Sequence, residues 1–266
     1  MTKLTTLQSL LGRIVTSRES DFYRKIWGTA YRGKFNELPA VTVNDFLHTP
    51  LEHRMYRHDK GLVKIIKRTP IQFLIQRSLA ELKEEGYGIT GERPTVLFED
   101  PHESLEKTLW CYERGVLPAI GEHANLSISS FLIDRYKSDS LLCDCVILEK
   151  LLTHSAAISS HINVFNIIDN NFKFEKLRKL ALPHKLNCIL GLPETGAFAS
   201  SCKEHLEKGE LVFHPNENSI IEFNKTIIVT KLILMPTPII RYVTGISFVL
   251  RAHTCNCKED ISFSLV

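Results

Sequence analysis

The sequence predicts an α/β fold in which a mostly parallel sheet carries helices on both faces and a small β-rich lobe is added after it. The first observation is an alternation of short apolar runs with helical patterns over residues 95–190, which is typical of βαβ units. The second is the pattern after residue 210, where short β-branched runs follow one another. Right-handed crossovers between parallel strands place helices on both faces of such a sheet.

The alternating part is predicted to contain five strands and four helices. Apolar and β-branched residues indicate the strands, and apolar residues at helical spacing indicate the helices. The strands are predicted at residues 95–99, 116–120, 140–143, 164–168 and 187–190. The helices are predicted at residues 105–112, 126–136, 146–158 and 174–182. Four further strands are predicted in the lobe, at residues 220–223, 227–231, 239–242 and 247–251.

The residues before 95 have a more mixed pattern. A helix is predicted over residues 21–27, a loop leading into a helix over 38–46, a strand over 71–75 and a charged helix over 79–85. We therefore expect three parts: residues 1–94 with N-terminal helices, the parallel α/β part at 95–209, and the β-rich lobe at 210–266.

Residues 1–18 allow two interpretations. They contain Lys3, Arg13 and Arg18 but no acidic residue, which is typical of a transit peptide. Their leucines recur at helical spacing, which favours an amphipathic helix docked on the domain.

Composition excludes several classes of protein. Of 266 residues, 44% are hydrophobic and 24% charged, which is ordinary for a globular protein. A net charge of +3 without a clustered basic face argues against nucleic-acid binding. The longest apolar stretch, residues 226–240, is interrupted by Lys231, Pro236 and Pro238, so no membrane span is expected. Seven cysteines in a long chain predict free thiols in a reducing compartment, and we expect a cytoplasmic protein.

Two segments and a cysteine pair carry the functional signal. They are Gly191-Leu-Pro-Glu-Thr-Gly196, Pro238-Ile-Ile-Arg-Tyr-Val-Thr-Gly245 and Cys255-Asn-Cys257. The first follows the last predicted strand of the parallel sheet. Ligands of open α/β sheets bind at the carboxyl ends of strands, so its position independently indicates a ligand site.

In this order the three segments resemble adenylate-forming enzymes of the phenylacetate–CoA ligase-like branch. The resemblance implies the N-terminal domain fold of those enzymes, ATP or AMP with Mg²⁺ as ligands, and a small carboxylic acid or its adenylate as substrate. It implies that Glu194 is the Mg²⁺-binding, catalytic carboxylate. Gly191, Glu194, Thr195, Arg241 and Tyr242 are the implied nucleotide-binding residues.

Several departures from the pattern of these enzymes predict that ATP chemistry is lost. Pro193 stands where the loop has Thr, and Ile246 replaces the Asp that holds the ribose hydroxyls. The expected phosphate loop falls within residues 1–94, and its best match, residues 66–78, contains no glycine; Thr90-Gly91 is the other candidate. The chain also ends at Val266, before the C-terminal domain that would carry a catalytic lysine.

These departures favour a degenerate, non-catalytic or weakly ligand-binding domain. One alternative is a carboxylic acid–CoA ligase that borrows its C-terminal domain from a separate protein. Another is a generic α/β small-molecule-binding protein without this ancestry.

The resemblance also implies a structural zinc site formed by Cys202, His214, Cys255 and Cys257. Three thiolates and one imidazole suit tetrahedral Zn²⁺. His205 and His253 are rival ligands, and the alternative is that these side chains are separate, buried or at the surface. Cys143 and Cys145 form a second Cys-x-Cys pair, for which we expect core packing.

Overall fold

The computed structural model describes most of the chain. The described residues are 3–16, 20–28, 34–56, 64–68, 74–78, 91–121, 123–154, 161–165, 186–233, 235–252, 255–257 and 261–266. Several sequence predictions lie wholly or partly outside them: the helices at 79–85 and 174–182, residues 71–73 of the strand at 71–75, residues 155–158 of the helix at 146–158, residues 166–168 of the strand at 164–168, residues 69–73 of the phosphate-loop candidate, and Thr90 of the other candidate.

Helices and strands alternate through the middle of the chain and give way to strands after it. The helices are α1 (Lys3–Thr16), α2 (Phe22–Trp27), α3 (Val43–Leu47), α4 (Leu51–Arg54), α5 (Pro101–Glu113), α6 (Leu126–Tyr136), α7 (Cys145–His154) and α8 (Lys203–Glu207), with a 3₁₀ turn at Phe35–Glu37. The strands are β1 (Lys64–Arg68), β2 (Leu74–Ser78), β3 (Pro94–Leu97), β4 (Ala119–Ile120), β5 (Ser140–Asp144), β6 (His161–Phe165), β7 (Leu186–Leu192), β8 (Gly196–Ser201), β9 (Phe213–Pro215), β10 (Ser219–Phe223), β11 (Ile227–Lys231), β12 (Tyr242–Val243), β13 (Phe248–Arg251) and β14 (Ser262–Leu265).

The large sheet has nine strands in the order β13-β14-β9-β8-β7-β6-β5-β3-β4. Its β4-β3-β5-β6-β7 half is parallel throughout, and α5, α6 and α7 connect consecutive strands of it. The predicted α/β class and the existence of the five predicted strands are therefore confirmed, but β6 begins at His161, three residues before the predicted start. Strand β4 is shorter than predicted, since it begins at Ala119.

Strands β7, β8, β9, β14 and β13 continue the same sheet in antiparallel pairing. A separate three-stranded antiparallel sheet is formed by β10, β11 and β12. The predicted small β sheet is thus present, but three of the strands after residue 210 join the large sheet. The division of the chain at residues 95 and 210 stays a prediction.

The strand predicted at 239–242 is wrong over its first residues, because regular pairing starts only at Tyr242. Pro236 and Pro238 lack the backbone N–H that a strand ladder needs. Arg241 has a φ of +49°, outside the β region.

Caps explain where the helices on the parallel half begin and end. Asp100 accepts a hydrogen bond from the backbone N–H of His102 at 2.8 Å, and Pro101 occupies the first turn of α5. Asn125 caps α6 by accepting from the N–H of Ile128 at 3.2 Å. The same helix ends at Lys137, which adopts the left-handed conformation common after a last turn.

Apolar side chains bury both faces of the parallel half. Leu97, Leu141 and Cys143 belong to the core on one face, and their strand neighbours Val96 and Leu142 belong to the core on the other. Because both faces of these strands are buried, apolar residues follow one another directly, and the strands are continuous apolar runs in the sequence. Cys145 also lies in the first core, so the second Cys-x-Cys pair packs as expected.

The N-terminal helices pack against the small sheet. Leu7, Leu10 and Ile14 of α1 are buried while Leu4 is 62% exposed, as expected of an amphipathic helix. A third core cluster joins this helix to the aromatic residues of α2, to Phe46 and to Tyr242. The rings of Phe46 and Tyr242 meet edge to face with centroids 5.6 Å apart. This packing supports the tyrosine from one side.

Among the described residues, none of the helices has the length and apolarity needed to cross a membrane. Strands β1 and β2 pair antiparallel as a separate two-stranded sheet. Gly91, in the second phosphate-loop candidate, has a φ of +140°, a conformation suited to glycine.

Candidate nucleotide loop and metal centre

The Gly191–Gly196 segment forms a tight β-hairpin at the carboxyl end of β7. The backbone N–H of Thr195 donates to the carbonyl of Leu192 at 3.1 Å. The Thr195 hydroxyl accepts from the Leu192 N–H at 3.2 Å and donates to the Gly196 carbonyl at 2.9 Å. Strand β7 extends two residues beyond the predicted end, so Gly191 lies in the strand and not after it.

Steric constraints explain why glycine stands at both of these positions in the hairpin. Gly196 has a φ of +63°, in the left-handed region. A Cβ atom on Gly191 would lie 2.6 Å from the carbonyl oxygen of Gly196. The segment is therefore built for close approach of two strands.

The Glu194 carboxylate points into the protein and contacts Tyr242. Glu194 is 1% exposed, and the Tyr242 hydroxyl donates a hydrogen bond to its Oε1 at 2.8 Å. Burial, and then the negative charge of Glu194, raise the pKa of Tyr242 above its usual range. The two predicted site residues thus meet across 48 residues of chain.

Arg241 contacts residues of both the small sheet and the N-terminal segment. Its Nε donates to Glu222 Oε2 at 2.9 Å, and its guanidinium lies 5.8 Å from the centroid of the Phe35 ring. Its backbone N–H donates to the Thr230 hydroxyl, and its carbonyl accepts from the N–H of Val41. These contacts join the small sheet to the N-terminal segment.

Ile246 packs in the main core. It is 7% exposed and belongs to the same apolar cluster as Phe248 and Phe263. Its backbone N–H donates to the Thr244 hydroxyl at 3.1 Å. In the adenylate-forming enzymes that the sequence resembles, this position carries a ribose-binding Asp. In this chain it is an apolar packing position.

Cys202, His214, Cys255 and Cys257 come together in space. Their ligand atoms all lie within 4.8 Å of one another. The Cys202 and Cys257 sulfurs are 3.6 Å apart, and Cys255 Sγ lies 3.3 Å from His214 Nε2. A tetrahedral ion with metal–sulfur bonds of about 2.3 Å would separate its sulfurs by about 3.8 Å. The cluster has the dimensions of a metal site.

Three parts of the fold supply these residues. Cys202 precedes α8, His214 lies in β9, and Cys255 and Cys257 lie between β13 and β14. Pairing of β14 with β9 brings the cysteine pair to the histidine. The backbone N–H of Cys202 donates to the Val212 carbonyl at 2.7 Å, which joins the ends of the segment that contains α8.

Surrounding groups orient the ligands. His214 Nδ1 lies 2.8 Å from the carbonyl oxygen of Ile261, which can only accept a hydrogen bond, so Nδ1 carries the hydrogen and donates it to that bond. In this tautomer Nε2 carries no hydrogen, and its lone pair faces the thiols. The Glu204 carboxylate accepts from the backbone N–H of Asn256 at 3.1 Å and holds the turn between the two cysteines.

The thiols differ in their acidity. Burial raises the pKa of Cys257 to about 12 and raises the pKa of Cys202 as well. Burial opposes ionisation of Cys255 too, but hydrogen bonds from the Cys257 backbone N–H and from the other two thiols outweigh it and lower its pKa. Cys255 is therefore the thiol that ionises first.

The rival ligands lie elsewhere or outside the described residues. His205 Nδ1 lies 2.7 Å from Glu210 Oε2. His253 lies outside the described residues. All seven cysteines are described and none is in a disulfide bond. Sequence reasoning missed Glu204, Ile261 and the buried Lys231, because each acts through a contact with a residue distant in the chain.

The fold is that of the adenylate-forming ligases. The o-succinylbenzoate coenzyme A synthetase MenE from Bacillus subtilis, in complex with AMP, superposes with a TM-score of 0.56 at 14% identity, over 77% of this chain and 48% of that chain. The long-chain-fatty-acid-CoA ligase FadD1 from Archaeoglobus fulgidus gives 0.53 at 13% identity, over 73% and 48%. The amide bond synthetase McbA from Marinactinospora thermotolerans gives 0.51 at 14%, over 64% and 40%.

The chain spans about half the length of these structures or less. At such identities the likeness concerns the fold alone. No protein-family model matches the chain. No curated protein matches it either. MenE has been solved with AMP, with ATP and magnesium ion, and with the acyl-adenylate OSB-AMP.

Proposed function

We propose that this chain is a degenerate domain of the adenylate-forming type, which binds a small carboxylic acid or an adenylate without ligating it. The observation that carries the proposal is the contact between Glu194 and Tyr242. A carboxylate that is 1% exposed and hydrogen-bonded by a buried tyrosine cannot reach Mg²⁺ in this conformation. Positioning and charge stabilisation supply almost all the catalysis in phosphoryl and adenylyl transfer.

The other implied nucleotide-binding positions support the same conclusion. Arg241 is engaged with Glu222, and the Thr195 hydroxyl with its own turn. Ile246 cannot accept a hydrogen bond from a ribose hydroxyl. Loss of one preorganised group typically costs on the order of 3 kcal/mol in the transition state, so several losses would remove most of the rate acceleration.

We also propose that the four-residue cluster holds a structural zinc ion. Three thiols, one imidazole with a fixed tautomer and a closed arrangement are the donor set that Zn²⁺ prefers. Such an ion would join β9, the start of α8 and the segment before β14. Because zinc binds thiolates, the proposal is consistent with a reducing compartment such as the cytoplasm.

The ligand site that we propose is at the hairpin. It lies at the carboxyl end of β7, where open α/β sheets bind their ligands. The relatives in fold bind AMP, ATP with magnesium, and an acyl-adenylate, which supports AMP, ATP or an adenylate as the class of ligand here.

The alternative function is a carboxylic acid–CoA ligase that acts with a C-terminal domain from a separate protein. The likeness in fold to CoA ligases favours it. A generic α/β binding protein is a weaker alternative, because the fold and the three ordered segments agree on one class.

Two measurements test the proposal. Pyrophosphate exchange with a panel of aryl and fatty acids should give no signal above background for the purified chain. Exchange that disappears in Glu194→Ala would establish the ligase alternative instead. Calorimetric titration with AMP and with a non-hydrolysable acyl-adenylate mimic should show binding, and the absence of binding to either would contradict the proposed ligand class.

A further inference from the structure

A fully buried lysine lies next to the hairpin that carries Glu194. Lys231, at the end of β11, is 1% exposed. Its Nζ donates a hydrogen bond to the backbone carbonyl of Ala197 at 2.5 Å. Ala197 stands opposite Gly191 in the β7–β8 pair. The ammonium group therefore contacts the same hairpin from which the Glu194 side chain projects.

Lys231 and Tyr242 project from the same face of the small sheet. Tyr242 is paired with Val229, and residues directly opposite each other in a sheet share a face. Lys231 is two residues beyond Val229, and side chains at that spacing point to the same side of a strand. Because the Tyr242 hydroxyl reaches Glu194, the lysine and the tyrosine approach the hairpin from one side.

A carboxyl group and an amino group, which are both charged in water at neutral pH, are thus buried at one interface. Removing a carboxylate or an ammonium group from water is strongly unfavourable unless an opposite charge or a metal ion accompanies it. The Tyr242 hydroxyl supplies a hydrogen bond to Glu194 but no positive charge. A countercharge for this carboxylate has to come from another group at the hairpin.

We infer that Lys231 is the counter-cation of Glu194 and takes the position that a divalent ion would occupy beside this carboxylate. Carboxylates are the usual protein ligands of Mg²⁺ and Mn²⁺, and an ammonium group satisfies the same charge without coordination. The hairpin then binds an anionic ligand without a divalent metal. The inference deepens the proposed function, since it rests on this hairpin being the ligand site.

Titration with Mn²⁺ alone tests the replacement directly. Calorimetry on the zinc-saturated protein should detect no Mn²⁺ binding at the hairpin in the wild type or in Lys231→Arg, which keeps the charge. Lys231→Met should bind Mn²⁺ at least about tenfold more tightly, and adding Glu194→Gln should abolish the gain. Binding by the wild type that Glu194→Gln removes, or no gain in Lys231→Met, overturns the inference.

A double-variant cycle on thermal stability tests the charge pair by itself. Lys231→Met and Glu194→Gln should each lower the Tm by on the order of 10 °C, because each leaves one buried charge without its partner. The double variant should be more stable than either single variant. Losses that simply add would contradict the pair. The exposed pair Lys150 and Glu99, 3.5 Å apart, is the control, and its variants should show almost no coupling.

The cycle also decides the case in which Lys231→Met does not fold. Recovery of folding by the added Glu194→Gln supports the inference, and continued failure to fold overturns it. Neither experiment measures exchange activity. If the chain catalyses pyrophosphate exchange, the proposed function is refuted. The Mn²⁺ titration and the stability cycle would still decide separately whether Lys231 pairs with Glu194.

Discussion

The Nε2 atom of His214 lies 3.3 Å from the sulfur of Cys255, although 41 residues separate them in the chain. Strand β14 makes this possible, because it pairs with β9 and returns the chain to the histidine after the Cys255–Cys257 turn. The carbonyl of Ile261, the residue just before β14, accepts a hydrogen bond from the other ring nitrogen. One strand pairing therefore both assembles the cluster and sets the tautomer of its histidine.

The purified protein should contain one zinc per chain. Binding energy at a closed metal site adds to folding, so a chelator should lower the Tm, and Cys257→Ser should lose both the metal and the effect of the chelator. Elemental analysis and melting curves with and without chelator are the measurements.

Cys111→Ala is the matched control for zinc binding, because this buried cysteine lies outside the cluster. It should keep the full zinc content. A wild-type protein without zinc after preparation in zinc-containing medium would refute the metal centre.

Stability should fall as the pH rises above about 10, the usual pKa of tyrosine. The pKa of Tyr242 is raised in the folded state by burial and by Glu194, so the folded protein holds this proton more tightly than the unfolded chain. The stabilisation is fully present below pH 10 and is lost towards the higher folded pKa, with a slope of at most about 1.4 kcal/mol per pH unit.

Urea unfolding of the wild type and Tyr242→Phe between pH 8 and 11 measures this contribution. The variant should show the smaller decline with pH. Tyr112→Phe, at a tyrosine that is 51% exposed, should behave like the wild type. Equal slopes in wild type and Tyr242→Phe would show that this hydroxyl does not hold its proton as expected.

Gly191→Ala should destabilise the hairpin. The added Cβ would lie 2.6 Å from a backbone oxygen, which no side-chain rotation relieves, and overpacking of this kind typically costs about 1–3 kcal/mol. Gly12→Ala is the control, since no atom lies within 4 Å of its added Cβ in the interior of α1. That change should leave stability the same or raise it by up to about 1 kcal/mol. Chemical denaturation compares the two, and a neutral Gly191→Ala would contradict the close approach of the strands.

Ile246→Asp should destabilise the protein and should not restore nucleotide binding. Ile246 is buried in the main core, and an ionised carboxylate there would lack the water that stabilises it, at a cost of at least about 3 kcal/mol. Ile246→Val, which keeps an apolar side chain, should cost about 1 kcal/mol. Thermal melts and titration with AMP are the measurements. A stable Ile246→Asp protein with a new affinity for AMP would argue that the ribose site survives.

Much of the fold could be predicted from local patterns. The helix at Leu126–Tyr136 and the strand at Ile227–Lys231 have the predicted bounds, because apolar periodicity and turn residues are local properties. Strand β8 was not predicted, since its small residues Gly196 to Ser201 carry no apolar alternation. The strand predicted at 239–242 is wrong over its first residues because Arg241 has a φ of +49° and its backbone N–H donates to the Thr230 hydroxyl instead of to a strand carbonyl.

The sequence by itself determined the alternation of strands and helices in the parallel half and the place of the hairpin at the end of β7, and its resemblance to known enzymes indicated the four cluster residues. Residue type and spacing suffice for the alternation and for the place of the hairpin, because these depend on neighbours in the chain. Only the tertiary structure decided where the functional side chains point. Sheet pairing turns Tyr242 and Lys231 towards the hairpin, and the burial of Glu194 follows from the docking of the small sheet on it. Charge pairing and solvent exclusion depend on contacts between distant segments, which no local pattern encodes.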